Sequence, residues 1–369
     1  MYLCRRYGND LAIFNRIISA ISMSLTEIAE RCLVKEIYNN TRIMASSRLY
    51  LDVLSQIEER NLPLKLKRDF TLCADNDKKT GPVIRIMQWN MLAQALCHGS
   101  DNFVLCPKEA LDWENRKIRV LEELLQYSPD ILCLEEVDKF DFLQTNLRKV
   151  GYDGLFFDKL SSPCLDFEHH TGPDGCAIFY LTSKIKLILK HEIRLKDNDE
   201  VTNQVCLGCT FGLVENEYST CQNFTVAVTH LKAKTGYSDL RFRQGSFLLR
   251  YLEQKVESSP LVVCGDFNAG PEEPIYAAFK ESILGLRSLG TNLTATKSEP
   301  LYTTWKIRGG PQGNTESCKT IDYIWYTKHF QPKAILQIPS GEDLGENKLP
   351  SLSYPSDHLS LVCDLQLNW

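Results

Sequence analysis

The sequence predicts an α/β fold in which two mixed sheets pack face to face with helices outside. Three observations carry this. From Val83 onward, short apolar runs of strand length alternate with amphipathic stretches at helical spacing. Many of the runs are apolar throughout, as expected of strands covered on both faces. Several follow one another with no helical stretch between them, which one doubly wound parallel sheet does not permit.

Residues 1–80 read as a helical extension, with apolar residues at helical spacing from Ile13 to Leu54 and a polar linker, ADNDKKTGP, closing it. The boundary falls near Gly81, leaving residues 81–369 as the larger domain. Strands are expected at 83–90, 131–136, 175–181, 204–213, 223–230, 261–266, 320–326 and 358–365. Helices are expected at about 114–126, 142–149, 239–257 and 272–280, with Pro129 after the first and Ser238 capping the third.

Charge narrows the function. The chain carries a net charge of −5, but residues 1–80 hold 13 Lys/Arg against 10 Asp/Glu, leaving 29 against 37 for residues 81–369. An acidic domain lacks the basic surface that long nucleic acids require, so RNA binding is expected only through a recruiting partner. A small phosphorylated ligand needs only a few lysines. The 14 cysteines are scattered, and Cys133, Cys176, Cys264 and Cys363 sit inside apolar runs as reduced, buried thiols. The lone CxxC, Cys206 to Cys209, has no second pair to complete a zinc site.

No apolar stretch reaches the roughly 20 residues that span a bilayer. The first 26 residues hold Arg5, Arg6 and Arg16 against a single acid, Asp10. Two readings of that segment stay open, a mitochondrial transit peptide and a surface amphipathic helix. The expectation is a cytoplasmic monomer with a mitochondrial fraction.

Chemistry enters where the apolar runs end. IRIMQWN delivers Asn90, ILCLEEV delivers Glu136, FTVAVTH delivers His230, and LVVCGDFN delivers Asp266 and Asn268. IDYIWY carries Asp322, and YPSDHLSLV carries Asp357 and His358. Burying an unpaired carboxylate is costly, so these groups must meet a cation, a donor or water, and gathered at one mouth they would bind Mg²⁺. Of Glu135 and Glu136, the second stands beyond the buried run and suits the rim, while Glu135 is expected toward solvent or a helix. Asp266 and Asn268 read either as a pair on one face or as an Asx turn. A carboxylate such as Asp322, accepting from one nitrogen of His358, would fix the tautomer and raise its basicity.

QWN90, LEE136, the THLKAK run from Thr229, GDFN268, TIDYIWY and PSDH358 occur in this order and together resemble the endonuclease/exonuclease/phosphatase superfamily. The runs CLDFEHHTGPDGCAIF, TNQV, LYTTWKIR and LPSLSYPSDHLSLVCD extend the resemblance to one branch of it, over residues 49–369. The resemblance implies a four-layer αββα sandwich with the site at one edge of the paired sheets. It implies Mg²⁺, or Mn²⁺ in its place, held chiefly by Glu136 with Asn90 assisting. Asp266 and Asn268 would address water and phosphate, and His358, oriented by Asp322, would stabilise the transferring phosphoryl group. Of Asp266 and His358, Asp266 ranks first as base because its position suits in-line attack.

The same branch implies removal of the 2′-phosphate of NADP⁺ and NADPH. The residues matching its pocket are Lys159, Asn203, His230, Lys232, Lys234 and Arg308. Lys234 stands where the branch calls for arginine, which exchanges a bidentate fork for a point charge. Trp305 and Tyr302 read either as stacking platforms or as core aromatics. The alternatives are a poly(A)-specific 3′-exonuclease of the same fold and a non-catalytic adaptor.

Overall fold

In the computed structural model, which describes residues 48–73, 81–97, 103–168, 170–214, 223–256, 258–310 and 312–368, the apolar runs form two sheets with a shared interior. The elements in chain order begin with α1 (Arg48–Glu59), β1 (Phe70–Leu72), β2 (Val83–Asn90), α2 (Lys108–Leu111), α3 (Trp113–Gln126), β3 (Ile131–Val137) and α4 (Phe140–Arg148). There follow β4 (Tyr152–Asp158), β5 (Gly175–Leu181), β6 (Ile185–Asp197), β7 (Glu200–Leu213), β8 (Phe224–His230) and α5 (Ser238–Val256). Then come β9 (Leu261–Asp266), α6 (Pro274–Lys280), β10 (Arg287–Ser288), β11 (Thr304–Arg308), β12 (Thr315–Lys319), β13 (Asp322–Tyr326), β14 (Phe330–Leu336) and β15 (Leu361–Leu367).

One sheet runs β1-β14-β15-β2-β3-β5-β4 and the other β10-β13-β9-β8-β7-β6, with β11 and β12 forming a separate hairpin. Each large sheet is mixed, because β2 pairs β3 in parallel and β8 pairs β9 in parallel while the other pairs are antiparallel. The main core lies between the sheets and is built from alternate residues of both, including Ile84 and Ile86 of β2, Cys133 of β3, Val226 and Val228 of β8, and Val262 and Cys264 of β9. A second core joins the outer face of the β9 sheet to α5 and α6 through Leu248, Leu252, Ile275, Phe279, Val263 and Trp325. On the other side, α4 stacks Phe140 on Phe156 and Phe179, and α1 packs against α3. The expected four-layer sandwich is the architecture found.

Sequence patterning missed β1, β4, β6, β10, β14 and the β11–β12 hairpin, whose partly exposed faces break the apolar runs. Residues read from the sequence as an extension also contribute to the domain's own packing. Strand β1 pairs with β14 at the edge of the first sheet, and Arg68 donates to Ser360 and to the Gln337 carbonyl. The leader-like segment and most of the predicted helical extension lie outside the described residues. Among the described residues no helix is long and apolar enough to cross a membrane. Cys206 faces the helix-side core and Cys209 the inter-sheet core, so the two thiols point away from each other.

Candidate active site

The two-residue period of the inter-sheet core sets the location of the site. Ile84 and Ile86 lead along one face of β2 to Gln88 and Asn90, and Ile131 and Cys133 lead along β3 to Glu135. Val226 and Val228 lead along β8 to His230, and Val262 and Cys264 along β9 to Asp266. Ile324 and Tyr326 share their face of β13 with Asp322. The apolar layer thus stops at one end, and polar side chains replace it there. Registers align them: Asp266 lies opposite Asp322 on one side and His230 on the other.

Glu136 departs from this alternation. Its φ of +53° lies in the left-handed region, and the pairing of β3 with β5 shifts between Leu134 and Val137, a local irregularity of the kind that re-aims a side chain. Its Oε1 then accepts from Asn90 Nδ2 at 3.2 Å and its Oε2 from the Ala93 amide at 3.1 Å. Glu135 does not face solvent or a helix as expected. It is fully buried, because it shares its face with Ile131 and Cys133, and it accepts from Gln88 Nε2 at 2.9 Å. Burial, with Asp322 and Asp266 nearby, pushes its carboxyl well above the usual range.

Asn90 joins the two sheets. The same Nδ2 that meets Glu136 donates to Asp266 Oδ2 at 2.9 Å, while its Oδ1 accepts from the Leu92 amide. Burial pushes Asp266 up to about 7, with His358 opposing the rise and Asp322 adding to it. The Asx turn is formed at Asp266. The Asn268 amide donates to Asp266 Oδ1 at 2.8 Å, and Asn268 takes a φ of +50°. Its side-chain Nδ2 donates to Leu231 O and to His230 Nε2, at 3.2 and 2.9 Å. His230 therefore accepts as a neutral ring, in keeping with a pKa held well below normal by burial and by Lys159 and His358.

His358 is oriented by Asp322, whose two carboxylate oxygens lie 3.1 and 3.0 Å from Nδ1. Burial lowers the imidazole's basicity, but the Asp322 charge outweighs it and raises the pKa to about 9. The other ring nitrogen faces Asp266 Oδ2 at 3.8 Å. Atoms of Asp266, Asp322 and His358 lie within 4.8 Å of one another, yet Asp322 is committed to the imidazole, so this trio works as a charge-paired relay better than as an ion cage. The oxygens sharing a positively polarised partner are those of Glu136 and Asp266, which both receive the Asn90 amide. A hard cation suits such oxygen donors.

The pocket residues divide. Lys159 is buried and paired with Asp174, and its charge acts on His230. Arg308 lies 3.7 Å from Asp357. Asn203 holds the neighbouring loop, its Oδ1 accepting from the Ser161 amide at 2.8 Å. Lys232 Nζ sits 4.9 Å from the centre of the Tyr237 ring, and Lys234 is exposed with a φ of +80°. Trp305 and Tyr302 meet edge to face, with Tyr302 buried and bonded to the Pro339 carbonyl.

Lys306 was not anticipated. It pairs with Asp357 and approaches His358 Nε2 to 3.4 Å, and Lys306, with His358 and Arg308, holds the buried Asp357 carboxyl well below the usual range. Its place two residues before Arg308 on one strand face was the available signal.

A model of the endonuclease/exonuclease/phosphatase family matches residues 87–358. Nocturnin from Xenopus laevis is 48% identical over 319 residues, covering 85% of this chain and 80% of that protein. Nocturnin from Homo sapiens is 50% identical over 308 residues, covering 82% and 69%. The solved structure of the human nocturnin catalytic domain with bound sulfate anion superposes with a TM-score of 0.68 at 43% identity, covering 83% of this chain and 100% of that one.

Proposed function

The chain belongs to the endonuclease/exonuclease/phosphatase family, its similarity within that family being to nocturnins, and from that premise we propose that this hydrolase is a Mg²⁺-dependent phosphatase that removes the 2′-phosphate of NADP⁺ and NADPH. The observation that carries the reading is a small set of cations, Lys159, Lys306 and Arg308, each against an acid and near His230 or His358, beside a carboxylate-rich centre in an acidic domain. A few convergent cations suit a dinucleotide with a terminal phosphate better than a nucleic-acid backbone.

Glu136 would hold the ion, and Asn90 would join it on turning its amide, since Nδ2 now faces Glu136 and Asp266 while Oδ1 receives the Leu92 amide. Once bound, Mg²⁺ polarises a phosphoryl oxygen and offsets developing charge. Asp266, with a pKa near neutrality, is matched to accept a proton from the attacking water. His358, kept as an imidazolium by Asp322, presents its Nε2 proton to the phosphoryl oxygens. Lys306, beside that nitrogen, adds a second positive charge. Asn268 has both amide hydrogens engaged, so donating to a phosphate requires it to release Leu231 or His230.

The test is phosphate release from NADPH against AMP release from oligoadenylate, on one purified preparation, with Mg²⁺ and with chelator. Metal-dependent phosphate release with intact oligoadenylate is expected. The reverse pattern would establish the 3′-exonuclease reading, and silence on both would favour the adaptor.

A further inference from the structure

Asp322 receives a contact from the opposite sheet that the relay described above does not use. Gln88, fully buried on β2, directs its Nε2 to two carboxyl groups, Glu135 Oε2 at 2.9 Å and Asp322 Oδ1 at 3.3 Å. An amide nitrogen carries two hydrogens, so both are committed. The Thr303 hydroxyl donates to Asp322 Oδ2 at 2.6 Å while receiving the Ile321 and Asp322 amides at 3.1 Å each. The carboxylate is therefore held by Thr303 at one oxygen and by Gln88 at the other, with His358 Nδ1 across both.

We propose that Gln88 is a positioning residue that holds Asp322 square to His358 from across the sheet interface. The proposal deepens the reading of His358 given above and rests on it. Without the Gln88 amide, Asp322 Oδ1 loses its donor from β2, and Thr303 at Oδ2 and His358 Nδ1 itself are the contacts left to fix the carboxylate's rotation about its last bond. One oxygen would then swing away from Nδ1. Charge pairing inside a buried site weakens steeply with such displacement.

Gln88 Oε1 and Glu135 Oε1 are both buried without a hydrogen-bond partner. An apolar side chain in place of Gln88 would relieve one of those atoms. It would also take the donor from Glu135 Oε2 and Asp322 Oδ1, so a loss of stability accompanies the change, and the state of His358 is what distinguishes a positioning role. The groups facing His358 are Asp322 from β13, Asp266 from β9, Lys306 from β11 and the adjoining Asp357. Of these, Asp322 is the one Gln88 touches.

The experiment is Gln88→Met in the full chain. The His358 ring would be followed by nitrogen-15 NMR across pH in chelator, assigned with His358→Gln, beside kcat and KM for NADPH with Mg²⁺. The expected result is a His358 midpoint lower by about one pH unit, a tenfold loss in imidazolium stability. With it, kcat should fall roughly tenfold and KM should stay within about twofold. A midpoint that stays in place overturns the proposal, as does a moved midpoint with kcat unchanged. If the wild-type chain leaves NADPH intact, the substrate reading fails separately and the NMR midpoint alone decides the role of Gln88. Gln88→Asn, which keeps the amide but withdraws it by one methylene, carries the same expectations should the methionine variant not fold.

Discussion

Two buried charge clusters in this domain differ in a way that separates structure from chemistry. In the first, Glu123 of α3 meets Lys65 and Arg68 and accepts from Tyr354 and Ser360. Burial alone would raise its carboxyl, but the two cations outweigh that and hold it below the ordinary value. In the second, around Asp266, carboxylates crowd one another, and burial drives Asp266 and Glu135 upward. The first cluster is closed, with each charge answered by protein. The second is short of positive charge, which a divalent metal ion would supply.

The contrast breaks most sharply if a residue from each cluster is removed. Glu136→Ala should cut phosphate release at least a thousandfold or so while thermal unfolding barely moves, because on the proposed reading it deletes a metal ligand and not packing. Retained turnover would remove Glu136 from the centre. Glu123→Ala should instead destabilise by about 3–5 kcal/mol, since it strands two buried cations, and leave activity per folded molecule unchanged. Chemical denaturation with activity assays at matched folded fractions checks both.

The pH dependence sharpens the comparison. His358 has its pKa raised to about 9, so its imidazolium is present at neutral pH and lost as pH rises. Accordingly kcat should fall about tenfold per unit above that value, and Asp322→Asn should move the limb downward in a stopped-time assay. For stability the two clusters have opposite signs. The depressed Glu123 contributes stability above its unfolded pKa, and this is lost on acidification. The raised Asp266 binds its proton more tightly when folded, so in chelator it costs stability as pH climbs from about 4 to about 7. Asp266→Asn should therefore abolish activity yet raise stability at pH 8 by about 1 kcal/mol, measured by urea denaturation. The smallest effect expected is that of Lys234→Arg. The side chain is exposed, so KM for NADPH should change by less than about threefold.

Much of this was legible before any coordinates. The strands that end in Asn90, His230 and Asp266, and the one that begins at Asp322, were visible because their apolar runs are long and their polar ends abrupt. The pairing of Asp322 with His358 was expected from residue type, and the structure places them within hydrogen-bonding distance. Glu135 was misplaced because strand alternation says which residues share a face but not what that face meets. Lys306 was overlooked for a related reason. Its strand belongs to a short, partly exposed hairpin with no apolar signature, and its significance comes from Asp357, 51 residues away.

By itself the sequence determined the layer order, the residues standing at the ends of the buried strands and the acidic balance of the domain, since these follow from local periodicity and residue chemistry. Only the tertiary structure decided which end of the sheets collects them, that Asn90 bridges the two carboxylates and that Gln88 reaches Asp322 from the facing sheet. Those depend on register between strands distant in the chain, and register is set by packing the whole inter-sheet core at once.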